Sequence, residues 1–121
     1  MTTSDTTRTA VRRRGQVAVI DLAGDIDAAA DGPLHAAWLE ATQGDPAAVV
    51  LNFERTGYIN STGIALIVGL LAQARAHHLP LGAYGLSPHY EEIFQITRLA
   101  EFMAIRPDED SAVSGAEGST T

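Results

Sequence analysis

The sequence has no cysteine and no lysine. Without cysteine there is no disulfide framework, no thiolate nucleophile and no zinc–thiolate cluster, which fits a reducing compartment. Without lysine all eight basic residues are arginine, set against fifteen acidic ones for a net charge of -7. Affinity for a phosphate backbone rests on positive charge, so direct nucleic-acid binding is not expected. No apolar stretch approaches the length of a membrane span. The opening residues lack the apolar run of a secretory signal, so the expected location is cytoplasmic, with no membrane insertion. What is present is a globular composition: 45% apolar and 19% charged residues in 121, enough for one domain with its own core.

Three zones follow from composition. Residues 1–8 read as a flexible leader, 9–107 as the folded domain, and 108–121 as an acidic, small-residue tail whose beginning could start a short helix. Arg12, Arg13 and Arg14 form a basic run, either a solvated strand edge or a docking surface for an acidic partner.

Within the domain, Val17–Gly24 is rich in β-branched residues and bounded by glycines, which predicts a strand, with residues 9–14 as its hairpin partner. Residues 24–27, Gly-Asp-Ile-Asp, carry turn chemistry, and Asp27 or Asp31 can cap the helix that follows. Leu34, Trp38, Leu39 and Thr42 give that helix an uneven apolar face. Residues 47–53 form a mostly apolar run suited to a strand covered on both sides. A connection over 54–60 leads to a long helix over 61–77, with Ile64, Ile67, Val68 and Leu71 at helical spacing. Pro80 ends it. Short strands are expected at 81–86 and 102–107. Ser87-Pro88 starts the helix between them, with Tyr90, Ile93, Phe94 and Thr97 on its apolar face. The order β-β-α-β-α-β-α-β predicts an α/β domain with a largely parallel sheet and an antiparallel start.

The sequence offers little conventional catalytic chemistry. His35, His77, His78 and His89 have no metal-ligand spacing, and His77 and His78 suit a helix C-terminus. Asp25 and Asp27 suit turn formation and capping better than an acid–base pair. No nucleotide-binding glycine loop or nucleophile-elbow motif occurs. The most informative segment is Tyr58-Ile59-Asn60-Ser61-Thr62-Gly63, between a strand and the long helix. Asn60 or Ser61 can cap that helix. Its free amides would also tolerate phosphate, so capping, phosphate binding and hydroxyl phosphorylation all remain open here.

These pieces, in this order, resemble the STAS domain of bacterial anti-sigma factor antagonists over about residues 9–107. Gly-Asp-Ile-Asp at 24–27 resembles the family's turn after the second strand. Residues 49–53 resemble its strand leading to the switch loop. Ile59-Asn60-Ser61-Thr62-Gly63 resembles its Asp-Ser-Ser/Thr-Gly signature, and Leu86-Ser87-Pro88 with Ile93-Phe94 resembles its third helix. The resemblance implies a single mixed, mostly parallel sheet with helices mainly on one face, no catalytic activity and no cofactor or metal. It implies partner switching: the unphosphorylated protein binds a serine kinase anti-sigma factor, is released by phosphorylation, and is reset by a metal-dependent serine phosphatase. By position the phosphoacceptor is Ser61, with Asp27, Asn60, Thr62 and Gly63 forming the switch loop and partner surface. Asn60 departs from the usual aspartate, keeping size and capping ability while removing a charge. The same resemblance admits a second role, as a non-phosphorylated soluble STAS component of a membrane transport or stress-signalling assembly. A small phosphate-ligand binder or enzyme is a distant third.

Overall fold

The computed structural model describes residues 6–118. Among them, five strands form one sheet: β1 (Arg8–Arg14), β2 (Val17–Ile26), β3 (Ala48–Ile59), β4 (Leu81–Tyr84) and β5 (Ala104–Arg106). They lie in sequential order. β1 is antiparallel to β2 and every later pair is parallel. The helices are α1 (Asp31–Thr42), α2 (Ser61–Ala76), α3 (Pro88–Ile96) and α4 (Glu109–Gly118). The expected order and antiparallel start are present. Most of the leader, residues 1–5, lies outside the described residues, and strand β1 begins at Arg8.

Sequential parallel strands joined by right-handed crossovers place every crossover helix on the same face. α1, α2 and α3 therefore cover one side. There Leu34, Trp38, Ile67, Leu70, Leu71 and Phe94 meet Ile20, Leu22, Leu51 and Phe53. Phe94 packs edge-on against Phe53, with ring centroids 5.8 Å apart. Two apolar positions differ from expectation. Val68 is 44% exposed and Leu39 is 52% exposed, while Leu70, Ala74, Ala37 and Ala41 take the inward positions. Alanines at the right angle approach the sheet more closely than a longer residue one step round the helix.

The opposite face carries Val17, Val19, Ala48, Val50 and Tyr84, all buried. α4 covers them with Ala112 and Val113, so over 109–118 the segment takes the helical alternative rather than the tail. Its acidic start is helix chemistry. Asp108 accepts from the Ser111 amide at 2.8 Å, and Glu109 and Asp110 occupy the first turn, where the helix dipole favours negative charge. Residues 119–121 lie outside the described part.

Nor is the arginine run a free surface. Arg13 donates to the Ala41 and Glu40 carbonyls at 2.7 and 2.9 Å, closing the C-terminal end of α1. Arg12 and Arg14 point to the other face and pair with Glu109 of α4.

Candidate functional site

The two central strands run further than composition suggested. Gly24, Asp25 and Ile26 continue β2, and residues 54–59 continue β3, so the expected turn at 24–27 and most of the connection at 54–60 are sheet. The pairing there is irregular, with register shifts between Asp21 and Ala23 and between Gly24 and Ile26. Gly24 takes φ +82, a conformation glycine adopts without steric cost. These irregularities bring the ends of β2 and β3 beneath the start of α2.

At that junction the amides of Tyr58, Ile59, Asn60 and Gly63 each have their own acceptor. The Tyr58 N–H donates to Asp25 Oδ1 at 2.8 Å, and the Ile59 N–H to the Tyr90 hydroxyl at 2.9 Å. The Asn60 N–H donates to the Ile26 carbonyl at 3.2 Å. The Gly63 N–H donates to Asn60 Oδ1 at 2.8 Å. Asn60 is thus the N-cap of α2, with extended backbone and its side chain satisfying a first-turn donor. Thr7 adds a tether through its hydroxyl to the Asp25 carbonyl.

This settles which of two hydroxyl-or-amide candidates caps the helix. Asn60 does, and Ser61 stands at the first helical position, exposed to solvent. Thr62 is exposed beside it. Asp27, half-buried, caps the short 3-10 turn Ala28–Ala30 by accepting from the Ala29 amide at 3.0 Å. Gly63, expected in the switch loop and partner surface, is buried against Ile26. Tyr58 is 68% exposed at the end of β3, an aromatic surface next to the hydroxyls. Sequence reasoning missed Tyr90 as a member of this site. Its position on the apolar face of α3 accounted for its ring, and no local signal pointed its hydroxyl at β3.

The capping geometry carries a prediction. Asn60→Asp is expected to retain the cap and to stabilise the protein modestly, by about 0.3–1 kcal/mol, because a carboxylate suits a helix N-terminus. A urea midpoint shifted downward would show that the neutral amide is required.

The histidines lie elsewhere. His77 caps the C-terminal end of α2 with Nδ1 2.9 Å from the Gln73 carbonyl oxygen, and His78 follows it. His35 and His89 are exposed on other helices. Among the described residues no group of three or more histidine, aspartate or glutamate side chains is arranged to hold a metal ion. Among them also, no helix is long and apolar enough to cross a membrane.

A family model described as "Mlab, STAS domain" matches residues 9–107. No curated protein matches the chain. Among solved structures, an anti-sigma factor antagonist from Mycobacterium paratuberculosis is similar at 19% identity and TM-score 0.80, over 97% of this chain and 99% of that one. The Bacillus cell fate determinant SpoIIAA in its phosphorylated form is similar at 25% identity and TM-score 0.67, over 88% of this chain and 97% of that one. A sulfate transporter family protein from Wolinella succinogenes is similar at 16% identity and TM-score 0.74, over 88% of each chain.

Proposed function

The chain belongs to the STAS-domain family, and on that premise we propose that it is an anti-sigma factor antagonist acting by partner switching, controlled by phosphorylation of Ser61. The observation that carries this reading is the division of labour at the start of α2. Asn60 caps the helix, and the Ser61 hydroxyl is presented to solvent on a junction held from β2 and α3. Modification therefore falls on a hydroxyl that is not itself the cap. The fold shared with an antagonist, and with a protein solved in phosphorylated form, supports the same reading.

In this scheme the unphosphorylated chain docks on a serine kinase anti-sigma factor through the surface around Ser61, Thr62 and Asp27. The kinase transfers phosphate to the Ser61 hydroxyl. A phosphoserine carries between one and a half and two negative charges near neutral pH, and drying those charges in an interface opposes binding. First-turn amides receive the phosphate locally, so the surface changes while the fold persists. A metal-dependent serine phosphatase resets the chain. Asn60 in place of an aspartate keeps one negative charge away from the phosphate.

The test begins with capture of partners from native extract and identification by mass spectrometry. Phosphosite mapping after incubation with the captured kinase, and titration calorimetry on both forms, follow. We expect labelling at Ser61, loss of labelling in Ser61→Ala, and an affinity at least about tenfold lower for the phosphorylated form, or about 1.4 kcal/mol. Asn60→Asp should alter the labelling rate more than stability. Equal affinities before and after stoichiometric phosphorylation would overturn the reading.

A second reading has its own support: the matched family model is of the Mlab type, and the fold is shared with a sulfate transporter family protein. Under it the chain is a non-phosphorylated STAS component of a membrane transport or stress-signalling assembly. Capture of transport subunits, with Ser61 unmodified, would favour it.

A further inference from the structure

Resting on the phosphoswitch reading, we propose that Tyr90 is a positioning residue of the switch, coupling α3 to the strand end that presents Ser61. β4 pairs with β3 only as far as Asn52↔Tyr84. Beyond that point β3 continues for seven residues to Ile59 without β4 beside it. Its Ile59 N–H is met instead by a side chain, the Tyr90 hydroxyl at 2.9 Å. Ile59 is 5% exposed. Losing this acceptor would leave a donor unpaired in a largely buried setting, so the bond favours one position of the strand end.

Tyr90 is itself fixed. It lies in the first turn of α3, where its amide faces the Ser87 cap at 3.4 Å, and its ring packs against His89 with centroids 4.9 Å apart. The path from α3 to the phosphoacceptor is short: Tyr90 holds Ile59, Asn60 follows and caps α2, and Ser61 is next. Hydrogen bonds weaken steeply with misalignment, so a small shift of α3 releases Ile59, and a shift of the Ser61 segment pulls on Tyr90. Thermodynamic linkage makes the influence reciprocal. A phosphate at Ser61 that draws on the first-turn amides competes with Asn60 for them, and the change reaches Ile59 and α3. An apolar side chain at position 90 would fill the same space and transmit nothing to this amide.

The test uses the full chain with phosphoserine incorporated at position 61 during translation, so that no kinase is needed. Amide exchange is followed by NMR in the unmodified and phosphoserine forms, each with Tyr90 intact and with Tyr90→Phe. Tyr90→Phe should speed exchange at Ile59 by about tenfold, the worth of one hydrogen bond, while Val50 and Leu51 in the covered part of β3 stay unchanged. Phosphoserine should change Ile59 exchange by about threefold or more when Tyr90 is present, and by less in Tyr90→Phe; a merely structural hydroxyl would show no such dependence. Equal Ile59 exchange with and without the Tyr90 hydroxyl would overturn the proposal. So would an equal response to phosphoserine in both backgrounds. The two forms carrying Tyr90 suffice by themselves to overturn it, if phosphoserine leaves Ile59 exchange unchanged. Failure of the broader reading appears separately, as a Ser61 that its partner kinase does not label.

Discussion

Gly63→Ala is expected to cost about 3 kcal/mol or more, read as a fall in the urea midpoint, although alanine is the better helix former by about 1 kcal/mol. A Cβ at this position would fall on the Ile26 carbonyl oxygen, 2.8 Å from the carbonyl carbon and 3.1 Å from Ile26 Cγ2. None of these atoms is the end of a flexible side chain. The carbonyl is also engaged, accepting from the Asn60 N–H at 3.2 Å. Relief requires α2 to back away from β2, which strains that bond and the Asn60 cap together. Gly69, in the same helix, has nothing within 4 Å of its would-be Cβ. Gly69→Ala should therefore stabilise by about 0.5–1 kcal/mol. The pair has opposite signs in one helix, and equal effects would show that α2 does not press on β2 as described.

That contact also explains why a glycine belongs in the Ser-Thr-Gly segment. It permits the close approach that sets the start of α2 on the end of β2, and through it the position of Ser61. From sequence the residue was visible as an anomaly, a glycine in a helical first turn, but the atom it makes room for lies 37 positions earlier. Local signals served well where the cause is local. Ser87-Pro88 marks the start of α3 as expected, and α2 spans Ser61–Ala76 against an expectation of 61–77. They served poorly where a distant partner decides. The extension of β3 depends on pairing with Ala23, Gly24 and Ile26 across an irregular register, which turn-like residues such as Gly57 conceal. Capping by Asn60 rather than Ser61 depends on where the chain enters from β3.

The C-terminal helix had a signal that composition obscured. A near-continuous apolar strand at 47–53 needs cover on both faces, whereas sequentially ordered crossovers supply helices to only one. Val50 and Ala48, fully buried, could not have remained so under a disordered tail. Asp108, Glu109 and Asp110 are compatible with an acidic tail or a helix start, because capping and dipole effects decide only once a helix is known to follow.

Glu109→Ala is expected to loosen that helix and to cost about 1–3 kcal/mol, from the hydroxyl it leaves behind. Glu109 accepts from the Tyr84 hydroxyl at 2.5 Å, from Arg12 at 2.7 and 3.2 Å, and from Arg14. Tyr84 is 1% exposed, so losing this acceptor strands a buried donor. Arg12 retains Asp21, to which it donates at 2.6 and 2.8 Å, and Asn52 holds the same carboxylate at 2.8 Å. The network thus joins α4 to four strands, with Glu109 as the helix's central member and Asp110 adding an exposed contact to Arg14 at 3.2 Å. The Arg12 hydrogen bond, then that of Tyr84, hold the Glu109 carboxyl down at about 2 from an ordinary 4.5. A carboxyl whose folded value is depressed contributes stability that is fully present above its unfolded value and lost as pH falls through the folded one. The window is therefore from about pH 4.5 down to about pH 2, and Asp21, lowered chiefly by its bond to Arg12, acts in the same direction. Across it the wild type should lose stability steeply, with Val113 amide exchange accelerating as α4 lifts. Glu109→Gln should start from lower stability and show a shallower slope, retaining the share due to Asp21. The same pH slope in both proteins would remove Glu109 as the group that latches α4 to the sheet.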